Sequence, residues 1–377
     1  MTNLSYSTQL IDEEDIDGVV EVLKGSHLTQ GKKVQEFEES LCNYTGAKYA
    51  VTFNSATSAL LGAYSVCGIS KGDEIITTPI SFVATSNMFI QLDAKPIWCD
   101  IKPDGNIDEN KIEKLITSKT KAIVPVDFAG KPVEIFKINE IAKKHNLLLI
   151  QDSSHALGSS VNGKKIGSFA DMTIFSFHAI KPITTGEGGA VLTDNEEFAK
   201  KLRLFRSHGM LKGELWKSDM ISMGHNFRMT EIAASLGLTQ IKKLDSFIFS
   251  RNKIAKYYNE RFKESEFFTT IEISDNLTSA HHLYPILLNK KFHAFKEEIF
   301  KELQQQGLGI QVHYKPIYQN SFYKEKFGEK ELPTADEFYN AEISIPCHQQ
   351  MNLDDAKYVA NTLLNTLNKY KIRGGTL

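Results

Sequence analysis

Apolar residues in the first half of the chain fall into short continuous runs, separated by longer stretches with an apolar residue every three or four positions. The short runs predict buried strands and the longer stretches predict amphipathic helices. One helix is predicted from Asp12 to Gly25, and a second carries Phe37 and Leu41 and ends at Gly46. The strands predicted after them are 49–53, 74–78, 96–99, 122–126, 147–150 and 190–193, with helices between them at 55–67, 82–91, 107–116 and 133–145. This alternation predicts an α/β fold with a largely parallel sheet and helices on both faces.

The second half of the chain changes its pattern after a long predicted helix that begins near Thr230 and runs past Tyr258. Beyond it, shorter elements predict a smaller α+β unit. Its predicted strands are 282–287, 310–313 and 343–345, and its predicted helices are 292–306 and 354–370. We therefore expect a large domain, residues 1–245 with an N-terminal arm, and a small C-terminal domain, residues 246–377.

Composition narrows the function classes. The chain has 377 residues, enough for two domains, and a net charge of -2, which creates no field that would attract nucleic acid or a membrane surface. The scattered cysteines Cys42, Cys67, Cys99 and Cys347 follow no metal or redox spacing and predict buried free thiols. The first six residues show no secretory signal, and no apolar stretch is long enough to cross a bilayer. We expect a cytoplasmic protein without a metal.

Lys181 and Asp152 are the most informative pair of residues in the sequence. Asp152 ends a buried-strand pattern, and Lys181 follows another apolar run and precedes a glycine-rich stretch, in FSFHAIKPITTGEGG at 175–189. A desolvated lysine has a lowered pKa and can form an imine, and an aspartate can pair with a protonated pyridine nitrogen. Together they indicate pyridoxal phosphate (PLP) chemistry. The alternatives are an exposed loop lysine and an aspartate that caps a helix.

Several further residues suit the remainder of such a cofactor. Ser55, Ala56 and Thr57 open a predicted helix after a strand, where free N–H groups and the helix dipole favour a phosphate. Simple helix capping by Ser55 is compatible with this role. Ser176 could add a hydroxyl to the same phosphate. Phe82 could stack on the pyridine ring, and its alternative is ordinary core packing.

Two polar segments later in the chain are candidate binding segments, and the second suits a sugar. The cluster Gly224–Arg228 precedes a helix, where an asparagine and an arginine suggest binding rather than structure. The segment Gln311–Tyr318 combines hydrogen-bonding and aromatic side chains, which match the hydroxyls and the apolar face of a sugar ring. The alternatives are satisfied surface side chains in the first segment and an edge strand in the second.

These motifs together resemble the sugar-nucleotide aminotransferases of the DegT type, within the fold-type-I PLP enzymes. The resemblance covers nearly the whole chain, from Tyr6 to the region of Ile345–His348. A finer similarity is to the C4 aminotransferases of pseudaminic acid biosynthesis. The segments that carry it are LTQG at 28–31, FNSATSAL at 53–60, TTPISFVAT at 77–85, FRSHGM at 205–210 and HYKPIY at 313–318.

The resemblance implies a large, mixed, mostly parallel sheet domain, a smaller α+β C-terminal domain, and a homodimer with a shared active site. It implies that Lys181 holds PLP and moves the proton, and that Asp152 pairs with the ring nitrogen. The other residues that it places at the cofactor are His155, Ser176, Ala56, Thr57, Phe82 and, from a neighbouring subunit, Asn226. The residues that it places at the nucleotide sugar are Tyr6, Ser26, His27, Leu28, Thr29, Ala56, Ser176, Asn226, Gln311, Val312, His313 and Tyr314.

The implied reaction is transfer of an amino group from L-glutamate to C4 of a UDP-4-keto-6-deoxy sugar, UDP-2-acetamido-2,6-dideoxy-β-L-arabino-hexos-4-ulose. His155 departs from the wider family, in which many members have glutamine at this position, and we expect its imidazole to fill the same hydrogen-bonding role. Relatives with histidine in place of Lys181 act as dehydratases, so the lysine favours transamination. The rival hypotheses are a PLP aminotransferase for another ketosugar and a non-catalytic sensor with this fold. A nicotinamide dehydrogenase is disfavoured, because no G-x-G-x-x-G follows the first strand.

Overall fold

The computed structural model of the chain describes residues 4–371. Its α-helices are α1 (Glu13–Lys24), α2 (Lys32–Thr45), α3 (Ala56–Val66), α4 (Ala84–Ile90), α5 (Glu109–Ile112), α6 (Ile135–Lys144), α7 (Glu196–Phe205), α8 (Glu231–Phe262), α9 (Lys296–Gln305), α10 (Ser321–Phe327), α11 (Pro333–Ala341) and α12 (Leu353–Tyr370). Its strands are β1 (Tyr49–Phe53), β2 (Glu74–Thr77), β3 (Lys95–Trp98), β4 (Thr120–Val124), β5 (Leu148–Asp152), β6 (Ser160–Val161), β7 (Lys164–Lys165), β8 (Met172–Ser176), β9 (Gly189–Thr193), β10 (Met210–Lys212), β11 (Ser218–Met220), β12 (Phe268–Thr270), β13 (Leu277–Thr278), β14 (Tyr284–Leu288) and β15 (Glu342–Ile345).

A seven-stranded sheet forms the centre of the large part of the molecule, in the order β1-β9-β8-β5-β4-β2-β3. The strands from β8 to β3 pair in parallel, whereas β9 is antiparallel to both β8 and β1. The sheet is therefore mixed and mostly parallel, which confirms the predicted α/β fold. Parallel strands end at one edge, so Thr77, Asp152 and Ser176 come to the same side of the molecule.

Alternate residues of each central strand pack on opposite faces of this sheet. In β2, Ile75 belongs to the core beneath α3, α4 and α7, and Ile76 belongs to the core beneath α2, α6 and α8. Because side chains alternate along a strand, a continuous apolar run buries both faces at once. This explains why the sequence pattern located these strands to within about two residues.

The predicted α1 and α3 ends follow from their capping residues. Asp12 and Asp15 form a reciprocal capping box at the start of α1, and Gly25 follows its last turn. Ser55 caps α3 by accepting a hydrogen bond from the Ser58 N–H. Each cap occupies backbone groups that the helix itself leaves unbonded, and this fixes the end of the helix.

A second core lies around the antiparallel sheet β12-β14-β15, which α8, α9 and α12 cover. Helix α8 contributes Ala234 and Leu244 to the large core and Ile254 and Tyr258 to this second core. The proposed domain boundary near residue 245 falls within this continuous helix and stays a prediction. Residues 1–3 and 372–377 of the two predicted domains lie outside the described part of the chain.

The predicted strand at 310–313 is wrong. Only Gln311 pairs with a neighbouring strand, through two backbone hydrogen bonds to Ser344. The next N–H on this side, that of His313, does not bond to a neighbouring strand, because it donates to the buried carboxylate of Glu342 at 2.6 Å. The predicted helix at 107–116 is also shorter, since α5 ends at Ile112 and a 3₁₀ turn follows. A similar turn delays the start of α9 to Lys296.

Among residues 4–371, the helices include none with the length and apolarity needed to cross a bilayer. The four cysteines are free thiols, as predicted, and Cys67, Cys99 and Cys347 are buried. Cys42 is only partly buried, so the predicted burial is wrong for that residue. Within the same residues, no group of three or more histidine, cysteine or acidic side chains has the arrangement of a metal site.

Candidate active site

Lys181 lies in a tight loop between β8 and β9, at the edge of the sheet where the parallel strands end. Backbone hydrogen bonds close this loop at both ends, from Phe177 N to Gly188 O at 2.9 Å and from Thr185 N to Phe177 O at 2.9 Å. A third bond, from Lys181 N to His178 O at 2.9 Å, fixes the lysine backbone. The loop therefore holds the lysine in place although it has no regular secondary structure.

The Lys181 amine is in a desolvated position, so this residue is not an exposed loop lysine. Although part of the side chain remains accessible, Nζ lies 3.2 Å from Nε2 of the buried His282. Burial lowers the pKa of Lys181 to about 7, against the attraction of Asp152, which raises it. A substantial fraction of this amine is therefore neutral near pH 7, which imine formation requires.

Asp152 is buried at the end of β5, and both of its carboxylate oxygens accept hydrogen bonds. Oδ2 accepts from Thr85 Oγ1 at 2.7 Å, and Oδ1 accepts from Ser154 Oγ at 2.6 Å and from Ser154 N at 3.1 Å. No helix begins after Asp152, so the helix-capping alternative is wrong. A carboxylate held in one orientation by these donors suits a partner that carries positive charge, such as a protonated pyridine nitrogen.

Buried histidines form one side of the Lys181 environment. The His155 ring lies 4.5 Å from the His282 ring, and His155 Nε2 lies 3.2 Å from the Tyr314 hydroxyl. Burial, followed by the charge of Lys181, lowers the pKa of both histidines well below the ordinary range, so both rings are neutral. His155 Nδ1 is buried and has no hydrogen-bond partner among residues 4–371. A buried polar atom of this kind leaves a hydrogen bond available to a ligand.

The N-terminus of α3 lies beside the start of β9, the strand that follows the Lys181 loop. Ser55 caps the helix, and the first N–H groups of any helix lack partners within it, so those at Ala56 and Thr57 can bind an anion. Gly189 lets β9 approach this helix closely, because a Cβ atom there would lie 2.5 Å from Ala56 N. Ser176 ends the neighbouring strand β8. The capping role and the anion-binding role of Ser55–Thr57 are thus compatible.

Aromatic side chains border the same region. Phe82 has 58% of its surface exposed, so the alternative of core packing is wrong. Its ring lies 6.4 Å from that of Tyr314, which in turn lies 4.9 Å from His313. Tyr6 of the N-terminal arm lies 5.3 Å from His313. An exposed phenyl ring beside buried polar groups is suited to stacking on a flat ligand.

Other predicted site residues make their contacts elsewhere in the protomer. The loop with Ser26, His27, Leu28 and Thr29 runs along the start of α8, where Glu231 N donates to Leu28 O at 3.0 Å and Thr29 pairs with Thr230. Asn226 pairs with Ser207. Gln311 pairs with Ser344, and Val312 N donates to the Gln311 side chain. For these residues, the predicted binding roles stay predictions.

Sequence reasoning missed several residues that shape the site. Thr85 orients Asp152, His282 contacts Lys181, and Glu342 with Ser344 holds His313. The available signal was the pair of adjacent histidines at 281–282, where a predicted strand begins. No comparable signal marks Thr85 or Glu342, whose functional neighbours are distant in sequence.

Taken together, these residues fit PLP. The desolvated amine of Lys181 suits the aldehyde, the fixed carboxylate of Asp152 suits the ring nitrogen, and the start of α3 suits the phosphate. His155 Nδ1 leaves one more hydrogen bond for a polar group of the ring. An open cavity of about 720 Å³ lies between α2 and α7, and its lining includes Glu38, Arg206 and Arg228 but not Lys181 or Asp152.

Comparison with known proteins agrees with this geometry. The model of the DegT/DnrJ/EryC1/StrS aminotransferase family matches residues 9–364. A UDP-4-amino-4,6-dideoxy-N-acetyl-beta-L-altrosamine transaminase from Campylobacter jejuni is 52% identical over 371 residues, which are 98% of each chain. The structure of Helicobacter pylori PseC, an aminotransferase involved in the biosynthesis of pseudoaminic acid, is 48% identical, with a TM-score of 0.95 over 98% of this chain and 100% of that one.

A putative sugar aminotransferase from Streptococcus pneumoniae, solved in its PLP form, is 31% identical, with a TM-score of 0.93 over 97% of this chain and 99% of the other. The similarity to these proteins therefore extends over both cores of the molecule and includes the segments that position Lys181 and Asp152. This chain belongs to the DegT/DnrJ/EryC1/StrS aminotransferase family.

Proposed function

We propose that this chain transfers an amino group from L-glutamate to C4 of UDP-2-acetamido-2,6-dideoxy-β-L-arabino-hexos-4-ulose. The product would be UDP-4-amino-4,6-dideoxy-N-acetyl-β-L-altrosamine, for pseudaminic acid biosynthesis. The observation that carries this proposal is the near full-length similarity to transaminases of that name. The desolvated lysine beside a fixed aspartate supports the reaction type.

The proposed cofactor is PLP, held by residues that converge at the edge of the large sheet. Lys181 would hold it covalently, Asp152 would pair with the ring nitrogen, and Phe82 would stack on the ring. The other proposed contacts are His155, Ser176, Ala56, Thr57 and Asn226 of the partner subunit. When bound, PLP supplies an electron sink that stabilises the negative charge left when a neighbouring carbon loses its proton.

The proposed acid–base residue is Lys181. Its neutral amine would take a proton from Cα of glutamate in the first half of the reaction, and its protonated form would deliver a proton to C4 of the sugar in the second. A pKa of about 7 leaves both protonation states accessible near neutral pH, which suits a residue that must both accept and donate. Asp152, fixed by Thr85 and Ser154, keeps the orientation of its partner constant through both halves.

The proposed sugar site extends from Lys181 towards the small core. His313 is fixed by two contacts, from its backbone N–H to Glu342 and from its Nδ1 to Ser344 Oγ at 2.8 Å. Tyr6 and Tyr314 border it, and Gln311, Val312 and the Ser26–Thr29 loop complete the proposed set. The match between hydrogen-bonding groups, aromatic faces and a pyranose ring supports this placement.

A homodimer is part of the proposal. The hairpin β10–β11 and the following residues expose several large apolar side chains, namely Leu211, Leu215, Trp216, Met220, Ile221 and Met223. Exposed apolar patches of this kind commonly mark protein interfaces. Asn226 lies in the backbone segment that continues from this hairpin, which supports its proposed contact with a neighbouring site. The predicted cytoplasmic location stays a prediction.

The test starts with the purified yellow protein. Borohydride reduction followed by peptide mapping should place the cofactor on Lys181, and Lys181→Ala should lose both the visible absorbance and the turnover. Lys256→Ala, at an exposed lysine, is the matched control and should keep both. Incubation with glutamate and a panel of UDP- and dTDP-ketosugars, with products identified by NMR, then tests the substrate. Preference for another ketosugar would replace the proposed substrate, and absence of any glutamate-dependent change would favour a sensor.

A further inference from the structure

His282 is a buried residue that contacts the reactive lysine but has no part in the roles proposed above. It lies two residues before β14, is 1% exposed, and places Nε2 3.2 Å from Lys181 Nζ. The two residues are 101 positions apart in sequence, so only the fold brings them together. A polar contact to the reacting nitrogen of the site can influence which form of that nitrogen is present.

The backbone of His282 is fixed by a buried arginine. Arg251 Nη1 donates to the carbonyl oxygens of His281 at 3.0 Å, His282 at 3.4 Å and Cys347 at 2.9 Å. On the ring side, His282 packs against the His155 ring at 4.5 Å. Arg251 therefore fixes the backbone of His282, and a change in the rotamer of the imidazole would break its ring contacts to His155 and Lys181.

The surroundings indicate which ring nitrogen carries the proton. His282 Nδ1 is buried and has no hydrogen-bond partner among residues 4–371. A proton on Nδ1 would bury an N–H group without an acceptor, and buried N–H groups without acceptors are rare in folded proteins. A proton on Nε2 points instead at the lone pair of the Lys181 amine. The contact is then a hydrogen bond that only the neutral amine can accept.

We propose that His282 is a positioning residue whose Nε2–H donates a hydrogen bond to the neutral amine of Lys181. The bond holds that amine in a fixed position whenever it is not joined to the cofactor. This inference rests on the proposed function, which gives Lys181 its part in the reaction. Asp152 acts in the opposite sense, because its negative charge favours the ammonium form, while His155 and His313 are neutral neighbours. The hydrogen bond from His282 and the burial of the amine thus favour the neutral form of Lys181, whereas Asp152 favours its ammonium form.

The test measures the pKa of Lys181 in the cofactor-free protein, by competitive acetylation at a series of pH values with peptide mass spectrometry. His282→Phe keeps the burial but removes the donor, and it should raise the Lys181 pKa by about one unit, the value expected for one lost hydrogen bond. His282→Gln keeps an N–H donor at the position of Nε2 and should restore the wild-type value. His281→Phe alters the adjacent buried histidine, which does not contact Lys181, and is the matched control.

An unchanged or lowered Lys181 pKa in His282→Phe would overturn the inference, since an acceptor at Nε2 would favour the ammonium and give a fall. Should His282→Phe not fold, as judged by circular dichroism, His282→Met lacks the donor as well and carries the same prediction. The measurement needs neither cofactor nor sugar. A failure of the proposed function would appear in the borohydride mapping and product analysis and would leave this pKa difference in place.

Discussion

Thr85 fixes the direction of the carboxylate on which the cofactor proposal depends. Its hydroxyl donates to Asp152 Oδ2 at 2.7 Å and lies 2.7 Å from Ser81 Oγ, which completes its hydrogen bonding. Thr85→Val keeps the shape of the side chain and removes this bond. Because hydrogen bonds to charged groups contribute about 1.5–3 kcal/mol, we expect the PLP dissociation constant to rise about tenfold or more.

A matched control for Thr85→Val is Thr77→Val. Thr77 is buried like Thr85 but lies in strand β2. Its hydroxyl donates to the Val124 carbonyl, not to a site residue. Titration of the cofactor-free variants with PLP, followed by absorbance, should show weaker binding for Thr85→Val alone. Equal binding by both variants would show that Asp152 does not need this orientation.

Ser344 links the proposed sugar site to a buried carboxylate. Its hydroxyl donates to Glu342 Oε1 at 2.5 Å, so it accepts from His313 Nδ1–H at 2.8 Å, which leaves His313 Nε2 as an acceptor. Burial raises the pKa of Glu342, and the charge of Lys296 opposes that rise. We expect Ser344→Ala to raise KM for the nucleotide sugar several-fold, because His313 loses its fixed tautomer.

The prediction for Ser344→Ala is checked by steady-state kinetics together with PLP titration. The dissociation constant of PLP should not change, because Ser344 contacts no proposed cofactor residue. Ser235→Ala removes another buried hydroxyl, bonded to the Gly18 carbonyl in α1, and should leave KM at the wild-type value. A raised KM for glutamate alone would contradict the assignment of His313 to the sugar.

Sequence reasoning found Lys181 and Asp152 because each follows a strong strand signal with a residue type that is uncommon at such a position. It could not find Thr85, which meets Asp152 across 67 positions, or His282, which meets Lys181 across 101. A threonine in a helix and a histidine before a strand have ordinary local roles. Their functional importance depends on which residues lie close to them in the folded chain, and the local sequence pattern does not show those contacts.

At the scale of elements, the apolar runs predicted the central strands well because both faces of that sheet are buried. The segment 310–313 has the alternation of an edge strand. The carboxylate of Glu342 nevertheless accepts the His313 N–H that would otherwise pair with a neighbouring strand. The prediction failed because a side-chain acceptor competed with the backbone, and the sequence around 310 does not show that acceptor. The hairpin β10–β11 escaped prediction because its pattern matches no buried face.

The hairpin β10–β11 gives an element-scale prediction. Its tip exposes 85% of Leu215 and 83% of Trp216, an arrangement that water disfavours unless a partner covers it. The double variant Leu215→Ser with Trp216→Ser should shift the protein from dimer to monomer, because buried aromatic side chains carry much of the binding energy of an interface. Light scattering during size-exclusion chromatography measures the mass directly.

The matched control for this hairpin is Phe249→Ser, which alters another large apolar side chain that is 72% exposed, on α8. That variant should remain a dimer. If the hairpin double variant also stays dimeric at micromolar concentration, the hairpin is not the interface. Loss of turnover together with loss of the dimer would support the shared site that includes Asn226.

At the scale of the whole molecule, Arg251 in the middle of α8 forms hydrogen bonds to several segments that are distant in sequence. Its guanidinium is fully buried and has hydrogen bonds to Gln349, to the carbonyls of His281 and Cys347, and to the Ser7 hydroxyl. Ser7 in turn donates to Ile180 O, next to the reactive lysine. This one buried cation therefore bonds to the N-terminal arm and to the segments beside β14 and β15, and Ser7 extends the connection to the active-site loop. The amphipathic pattern of α8 did not reveal this role.

The cluster of buried histidines makes the stability of the whole protein sensitive to acid. Burial lowers the pKa of His348 and His281 to about 4 and of His313 to about 3, and it lowers the pKa of His155 and His282 well below the ordinary value. An unfolded histidine binds a proton near pH 6.5, so the unfolded chain binds more protons than the folded chain below that pH. The contribution of these histidines to the free energy of unfolding should thus be constant above about pH 7.5 and fall as the pH drops from about 6.5 towards 4.

His348 isolates one share of this acid sensitivity, because it is buried and lies outside the proposed catalytic set. With pKa values of about 4 folded and 6.5 unfolded, this histidine alone costs about 2 kcal/mol at pH 5 relative to pH 8. His348→Gln should therefore lose about 2 kcal/mol less than the wild type between these pH values, measured by urea unfolding of the cofactor-free protein at fixed concentration. His27→Gln, at an exposed histidine, is the control and should keep the full wild-type loss. An equal loss in all three proteins would show that His348 takes up its proton in the folded state and makes no contribution to the acid sensitivity.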